Sequence, residues 1–206
     1  MQIIRKYFDL TPDQEQQFAA LGTLYPEWNA KINVISRRDI DNLYERHILH
    51  SLAIERILHF QPGTNVLDVG TGGGFPGIPL AILLPQVHFV LVDSVKKKLL
   101  VASEVAKAIG LSNVEFRWER VEDEKQKFDF VVSRAVMPLP DLVKLVSKNI
   151  EHKAPHNALP NGLIVLKGGE LDAEIAPFHQ KAEVTPLASF FDEEFFTTKS
   201  AIYLPL

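Results

Sequence analysis

Five glycines fall within eight residues of the stretch Leu67-Asp68-Val69-Gly70-Thr71-Gly72-Gly73-Gly74-Phe75-Pro76-Gly77. A run so poor in side chains suits neither a helix interior nor a strand, because glycine loses the most backbone freedom there. It suits a tight turn at which the backbone itself approaches a ligand. Its flanks decide the architecture. Asn65 to Val69 is a short β-rich run introduced by Pro62-Gly63, and a helix follows the glycines to about Leu84. Strand, glycine turn and helix open a doubly wound α/β sheet.

The rest of the chain repeats that alternation. Val87 to Val92, ending at Asp93, is a continuous apolar run of strand length. Lys96 to Ile109 reads as a helix with Gly110 as its C-terminal cap. Val114 to Trp118, Phe128 to Ser133 and Gly162 to Leu166 are further strands, and a helix from about Asp141 to Ile150 precedes the last. Strands apolar on both faces and separated by helices imply a parallel sheet covered on both sides. Glu183 to Phe191 and Ser200 to Leu206 read as a closing antiparallel pair joined by a short loop.

The first sixty residues are helical in pattern. Thr11 is placed as an N-cap, Pro12 at the first helical position, and Gln14 to close a capping box. Phe18, Leu21, Tyr25, Trp28 and Ile32 then share one face. Pro26 should kink or split this helix. A second helix is expected from about Asp39 to Phe60. The expected fold is an α/β, doubly wound, Rossmann-like sheet, mostly parallel with an antiparallel C-terminal hairpin. Residues 1–60 form an N-terminal helical extension and residues 61–206 the sheet domain, packed as one compact unit.

Gly72 to Gly77 satisfies G-x-G-x-x-G literally, yet three features oppose a dinucleotide. Asp68 would set a negative charge against a pyrophosphate, Pro76 removes an N–H donor, and the match begins three to four residues after the strand. An acid before the loop suits a ligand with positive charge, and S-adenosylmethionine, with its sulfonium and amino groups, is one. Asp93, ending the second strand, is then placed to accept from ribose hydroxyls.

Composition closes other routes. The 206 residues include no cysteine, which excludes disulfides, thiolate metal sites and cysteine nucleophiles. Seven histidines show no third ligand at a metal-binding spacing, and His47 and His50 read as packing residues, so no metal is expected. No run approaches the roughly 18 apolar residues of a membrane helix, and the N-terminus does not read as a signal peptide. No membrane association and a cytoplasmic location are expected. The formal charge of −4 is uneven: residues 170–195 hold seven acids against Lys181, and the remainder is nearly neutral. Arg37-Arg38 and Lys96-Lys97-Lys98 are the candidate basic clusters for a polyanion.

Motifs beyond the loop make the chain resemble one family. Trp28-Asn29-Ala30-Lys31-Ile32-Asn33, Arg46 to Leu52, Leu67 to Ile82 with Phe75-Pro76-Gly77-Ile78-Pro79, Asp93-Ser94, Arg120-Val121-Glu122, Phe128 through Ser133-Arg134-Ala135 and Leu166-Lys167-Gly168 occur in the family's order. Together they resemble the bacterial small-subunit ribosomal RNA methyltransferase G (RsmG, or GidB) family over nearly the whole chain. The resemblance implies transfer from S-adenosylmethionine to N7 of one guanine in 16S rRNA, on the small subunit or an assembly intermediate; a monomer is expected. It also implies that Gly70 and Phe75 line the methionine end of the cofactor, Asp93 holds the ribose, and Val121 and Glu122 flank the adenine; Gly72 is expected to bind the cofactor with them. Arg134 would lie beside cofactor and RNA, with Arg134 and Lys167 positioning the base. His50 stands where the family has an acid.

The chemistry agrees with what is missing. Guanine N7 carries a free lone pair, so attack needs neither a covalent nucleophile nor a general base. A methyltransferase for another RNA or a small molecule, and a non-catalytic RNA-binding module of this fold, remain as alternatives; a nicotinamide oxidoreductase ranks third. Glu151 to Asn161 is either a substrate gate or a long connection.

Overall fold

A side-chain alternation of period two runs through every central strand and sorts the core into two faces. In the computed structural model, which describes residues 1–36, 38–134, 136–152 and 156–206, β1 (Asn65–Val69), β2 (His88–Asp93), β3 (Val114–Trp118), β4 (Phe130–Arg134) and β5 (Gly162–Gly168) are parallel. β7 (Lys199–Pro205) runs antiparallel between β5 and β6 (Glu183–Pro186), giving the order 3-2-1-4-5-7-6. Val66, Phe89, Leu91, Phe130, Val132, Ile164 and Leu166 face one core; Leu67, Val69, Val90, Val92, Val131, Leu163 and Val165 face the other.

The first core is closed by α1 (Gln2–Tyr7), α2 (Pro12–Asn29), α3 (His50–Ile57), α4 (Gly77–Leu83) and α5 (Lys96–Ala108). The second is closed by α6 (Leu139–Val146) and α7 (Asp172–Ile175). Thr11 and Gln14 form the expected capping box. Phe18, Leu21 and Tyr25 are fully buried, and the long amides of α2 reach carbonyls that helix ends leave free. Gln14 Nε2 donates to the Ile82 and Leu83 carbonyls at the end of α4, and Gln17 Nε2 to Ile109 after α5.

Several boundaries differ from expectation. Pro26 neither ends nor splits α2, which continues to Asn29; packing of this face outweighs one missing hydrogen bond. The second helix is not a uniform α-helix from Asp39 to Phe60. A 3₁₀ turn (Ile40–Asn42) leads into π-helical turns (Leu43–Leu49), and only His50–Ile57 is α-helical. The fourth strand begins at Phe130, because Phe128 makes only an isolated bridge to Ile150. The last two strands do pair, but residues 187–198 between them form a long connection with two 3₁₀ turns. Of the acidic stretch, Glu174 and Glu193 are not free surface charges: they bind Lys167 and Lys6. Asn157 and Asn161 bond to Gln61, Thr64 and Glu151 at the strand starts, away from the glycine loop, so the described part of 151–161 is a connection. Arg37, Ala135 and Pro155 lie outside the described residues.

Candidate cofactor and acceptor site

The strand order reverses between β1 and β4, and in open α/β sheets ligands bind at the C-terminal ends of strands beside such a reversal. The glycine loop sits there. Gly70 N and Thr71 N both donate to the Val92 carbonyl, folding the loop over β2. Gly70 has φ +69°, and a Cβ on it would lie 2.3 Å from Val136 Cγ1, so both conformation and space require glycine.

A cavity of about 380 Å³ opens beside the loop, a size within the usual range for small-ligand pockets. Val69, Gly70 and Gly72 form one wall, Val92, Asp93, Ser94, Val95 and Lys98 a second, Glu119 to Glu122 a third, and Val136, Met137 and Leu145 close it. Asp93 Oδ2 accepts from Gly72 N and Oδ1 from Val95 N, both at 2.7 Å. Each oxygen keeps lone-pair capacity for a hydroxyl. A Cβ on Gly72 would meet no protein atom within 4 Å, so the loop leaves open room at this wall.

Asp68 does not do what its sequence position suggests. Strand alternation turns Val69 toward the cavity and Asp68 to the opposite face, where it is fully buried. Its Oδ2 accepts from Thr71 Oγ1 at 2.6 Å and Gly77 N at 2.8 Å, tying the loop to the start of α4. Oδ1 has no hydrogen-bond partner. Burial pushes this carboxyl up to about 7, against the opposing pull of Thr71, Gly77 N and Arg134. The acid holds the loop in shape and does not face a cationic ligand.

Phe75 likewise lies beneath the loop and off the cavity wall, 3% exposed. Its ring packs on Tyr25 at 4.7 Å and His47 at 5.4 Å, with the Arg134 guanidinium 5.1 Å from its centroid. Arg134, at the end of β4, donates to His47 Nδ1 at 3.1 Å and more weakly to the Arg46 carbonyl at 3.4 Å. Since Arg134 can only donate, His47 accepts through Nδ1 and is neutral. Burial and then Arg134 push His47 down to about 3, and the same two causes do so for His50. Desolvation brings Arg134 itself down to about 10, which leaves it charged at neutral pH.

Lys167 is 7% exposed, and its ammonium is committed. Nζ donates at 2.6 Å both to the Met137 carbonyl and to Glu174 Oε2, and Glu174 also accepts from Leu139 N. It braces the segment that carries Val136 and Met137 into the cavity.

The cavity thus brings together Gly70, Gly72, Asp93, Val121 and Glu122, and Phe75, Arg134 and Lys167 are not part of its wall. Residue patterns alone did not mark Tyr25 or Thr71. Tyr25 is read as packing, yet its hydroxyl donates to the Gly73 carbonyl at 2.8 Å, and Thr71 bonds Asp68. A polar atom on an otherwise apolar helix face was the available signal for Tyr25. Among the described residues, no group of three metal-ligating side chains occurs and no helix is long and apolar enough to cross a membrane.

Strand order, glycine loop and an acid ending β2 beside an apolar cavity define an enzyme of the S-adenosylmethionine-dependent methyltransferase class. Solved structures share this fold: a variant of MtNAS in complex with S-adenosylmethionine (TM-score 0.58, 11% identity, 93% of this chain and 76% of that one) and coclaurine N-methyltransferase bound to N-methylheliamine and SAH (0.57, 14%, 85% and 66%). A sequence model of the GidB family, described as rRNA small subunit methyltransferase G, matches residues 14–195. Proteins named ribosomal RNA small subunit methyltransferase G are 64% identical in Bacteroides thetaiotaomicron, over 98% of each chain, and 62% in Bacteroides fragilis, over all of each. That of Porphyromonas gingivalis is 60% identical over all of this chain and 93% of its own. The chain belongs to the rRNA small subunit methyltransferase G (GidB) family.

Proposed function

We propose that this chain transfers the methyl group of S-adenosylmethionine to N7 of one guanine in the 16S rRNA of the small ribosomal subunit, acting in the cytoplasm as a monomer. The observation that carries the reading is a cavity of small-ligand size, walled by the glycine loop and Asp93, in a chain whose family match spans nearly its full length. Bound there, S-adenosylmethionine supplies a methyl on a sulfonium, which a lone pair aligned with the bond can take.

The residues present fit that ligand. Gly70 and Gly72 would admit the methionine portion against bare backbone, the Asp93 carboxylate would accept from the ribose hydroxyls, and Val121 with Glu122 would flank the adenine. Phe75 and Tyr25 support the loop from below. Guanine N7 bears no proton, so the chain needs to orient the base and exclude water, and no side chain must remove a proton at the reacting atom. His47 and His50, held neutral by burial, agree with that division of labour. Arg134, fixed by His47 and by the Phe75 ring, is the cation at the end of β4 for guanine O6 or a flanking phosphate. A cation bonded to N7 itself would block attack. Lys167 is a positioning residue that acts through Met137.

Mass mapping of 16S rRNA from cells lacking this chain tests the reading. One guanine should lose a single methyl and regain it when the purified enzyme and S-adenosylmethionine are added to the isolated small subunits. Unchanged rRNA in those cells would refute it, and methylation of another RNA would favour the alternative acceptor.

A further inference from the structure

The strand that ends at the cavity mouth carries an aromatic side chain that the core does not use. Trp118 closes β3, the edge strand, in register with Asp93, and is 59% exposed. Its Nε1 donates to the Ser94 carbonyl at 3.1 Å, and the Lys96 ammonium lies 4.5 Å from its ring centroid. The indole is therefore held in one orientation while much of its surface faces solvent. Val95 and Leu100, beside it on the adjoining turn and helix, are also exposed.

One cation lies on this ring and three more are close to it in the chain. Lys96 and Lys97 open α5 as exposed residues, and Lys98 and Arg120 reach the cavity wall. None of the four is in an ion pair among the described residues, whereas Lys6, Arg46, Arg117 and Lys167 all are. The acids nearby are Asp93, whose oxygens hold Gly72 N and Val95 N, and Glu119, Glu122 and Asp123. In a chain of net charge −4, an exposed indole with Lys96 on its ring and three further cations without ion pairs close in sequence suits a polyanion with flat faces.

We propose that Trp118 is a stacking platform for an unpaired base of the substrate RNA, with Lys96, Lys97 and Arg120 on the flanking phosphates. The inference rests on the chain being an rRNA methyltransferase and adds where the strand beside the target is held. Aromatic rings interleaved with cations are what single-stranded RNA binds, and a phosphate ladder alone would not need the indole.

Two measurements on Trp118→Ala, Trp118→Phe and the double variant Lys96→Ala/Lys97→Ala test this. Filter binding uses 16S rRNA from cells lacking the enzyme; steady-state methylation uses small subunits from the same cells. Trp118→Ala should weaken rRNA binding and raise KM for small subunits about tenfold, with kcat and the calorimetric Kd for S-adenosylmethionine unchanged. Trp118→Phe should recover most of the loss. The lysine double variant should reduce the slope of log K against log salt by about two. Wild-type binding by Trp118→Ala, or a parallel loss of S-adenosylmethionine affinity, would overturn the proposal. Binding that depends on Trp118 without any methylation would retain the platform and refute the proposed reaction instead.

Discussion

Replacing Asp68 by asparagine should remove a pH dependence of stability that this one carboxyl imposes. Its carboxyl stands at 3.8 when unfolded and is raised to about 7 in the fold, chiefly by burial. The unfolded chain therefore releases the proton first. Stability is full below about pH 4, declines as pH rises, and has lost this contribution once pH passes about 7. A shift of roughly three units at about 1.4 kcal/mol each gives a decline of about 4 kcal/mol in all. Asparagine keeps the geometry: its Oδ1 can accept from Thr71 and Gly77 N where Oδ2 does, and its amide takes the place of the unpaired oxygen. The pH-independent cost of burying the amide offsets the whole Asp68→Asn profile and leaves its slope unchanged. Urea unfolding of both proteins at pH 5, 6, 7 and 8 measures the difference. Relative to Asp68→Asn, the wild type should lose roughly 1 kcal/mol per unit up to about pH 7 and then level off. Parallel profiles would refute the burial argument. Asp68→Ala, which forfeits both bonds, should be less stable than Asp68→Asn at every pH.

Gly70→Ala should weaken S-adenosylmethionine binding at least about tenfold by calorimetry, because left-handed backbone costs an L-residue about 1 kcal/mol and Val136 must also move. Undiminished affinity would show that the loop yields more easily than its contacts imply. Lys167→Met should destabilise the fold by about 3 kcal/mol, leaving Glu174 and the Met137 carbonyl unpaired, and Glu174→Gln should restore part of that loss in the double variant. Wild-type urea stability in the single variant would contradict the bracing role.

Alternation of apolar strands and helices is a local property, and it placed all seven strands to within a few residues; the glycine loop, its position after β1, and Asp93 at the end of β2 were equally legible. The GidB motifs carried the family. Sequence spacing does not record which face of a strand a residue occupies, or which cation reaches it from elsewhere in the chain. Asp68 and Val69 are neighbours in sequence, yet one ties the loop down and the other lines the cavity. Arg134 meets His47, and Tyr25 meets Gly73, across separations of 87 and 48 residues. Sequence places Lys167 beside the base, and only the fold shows Glu174, seven residues on, reaching back to it through α7. The sequence by itself determined the fold class and the end of the sheet at which the glycine loop and its cavity lie, because both follow from short-range pattern. Tertiary structure alone decided which charged and aromatic side chains line that cavity and which lie off its walls, because pairing and burial depend on long-range contacts.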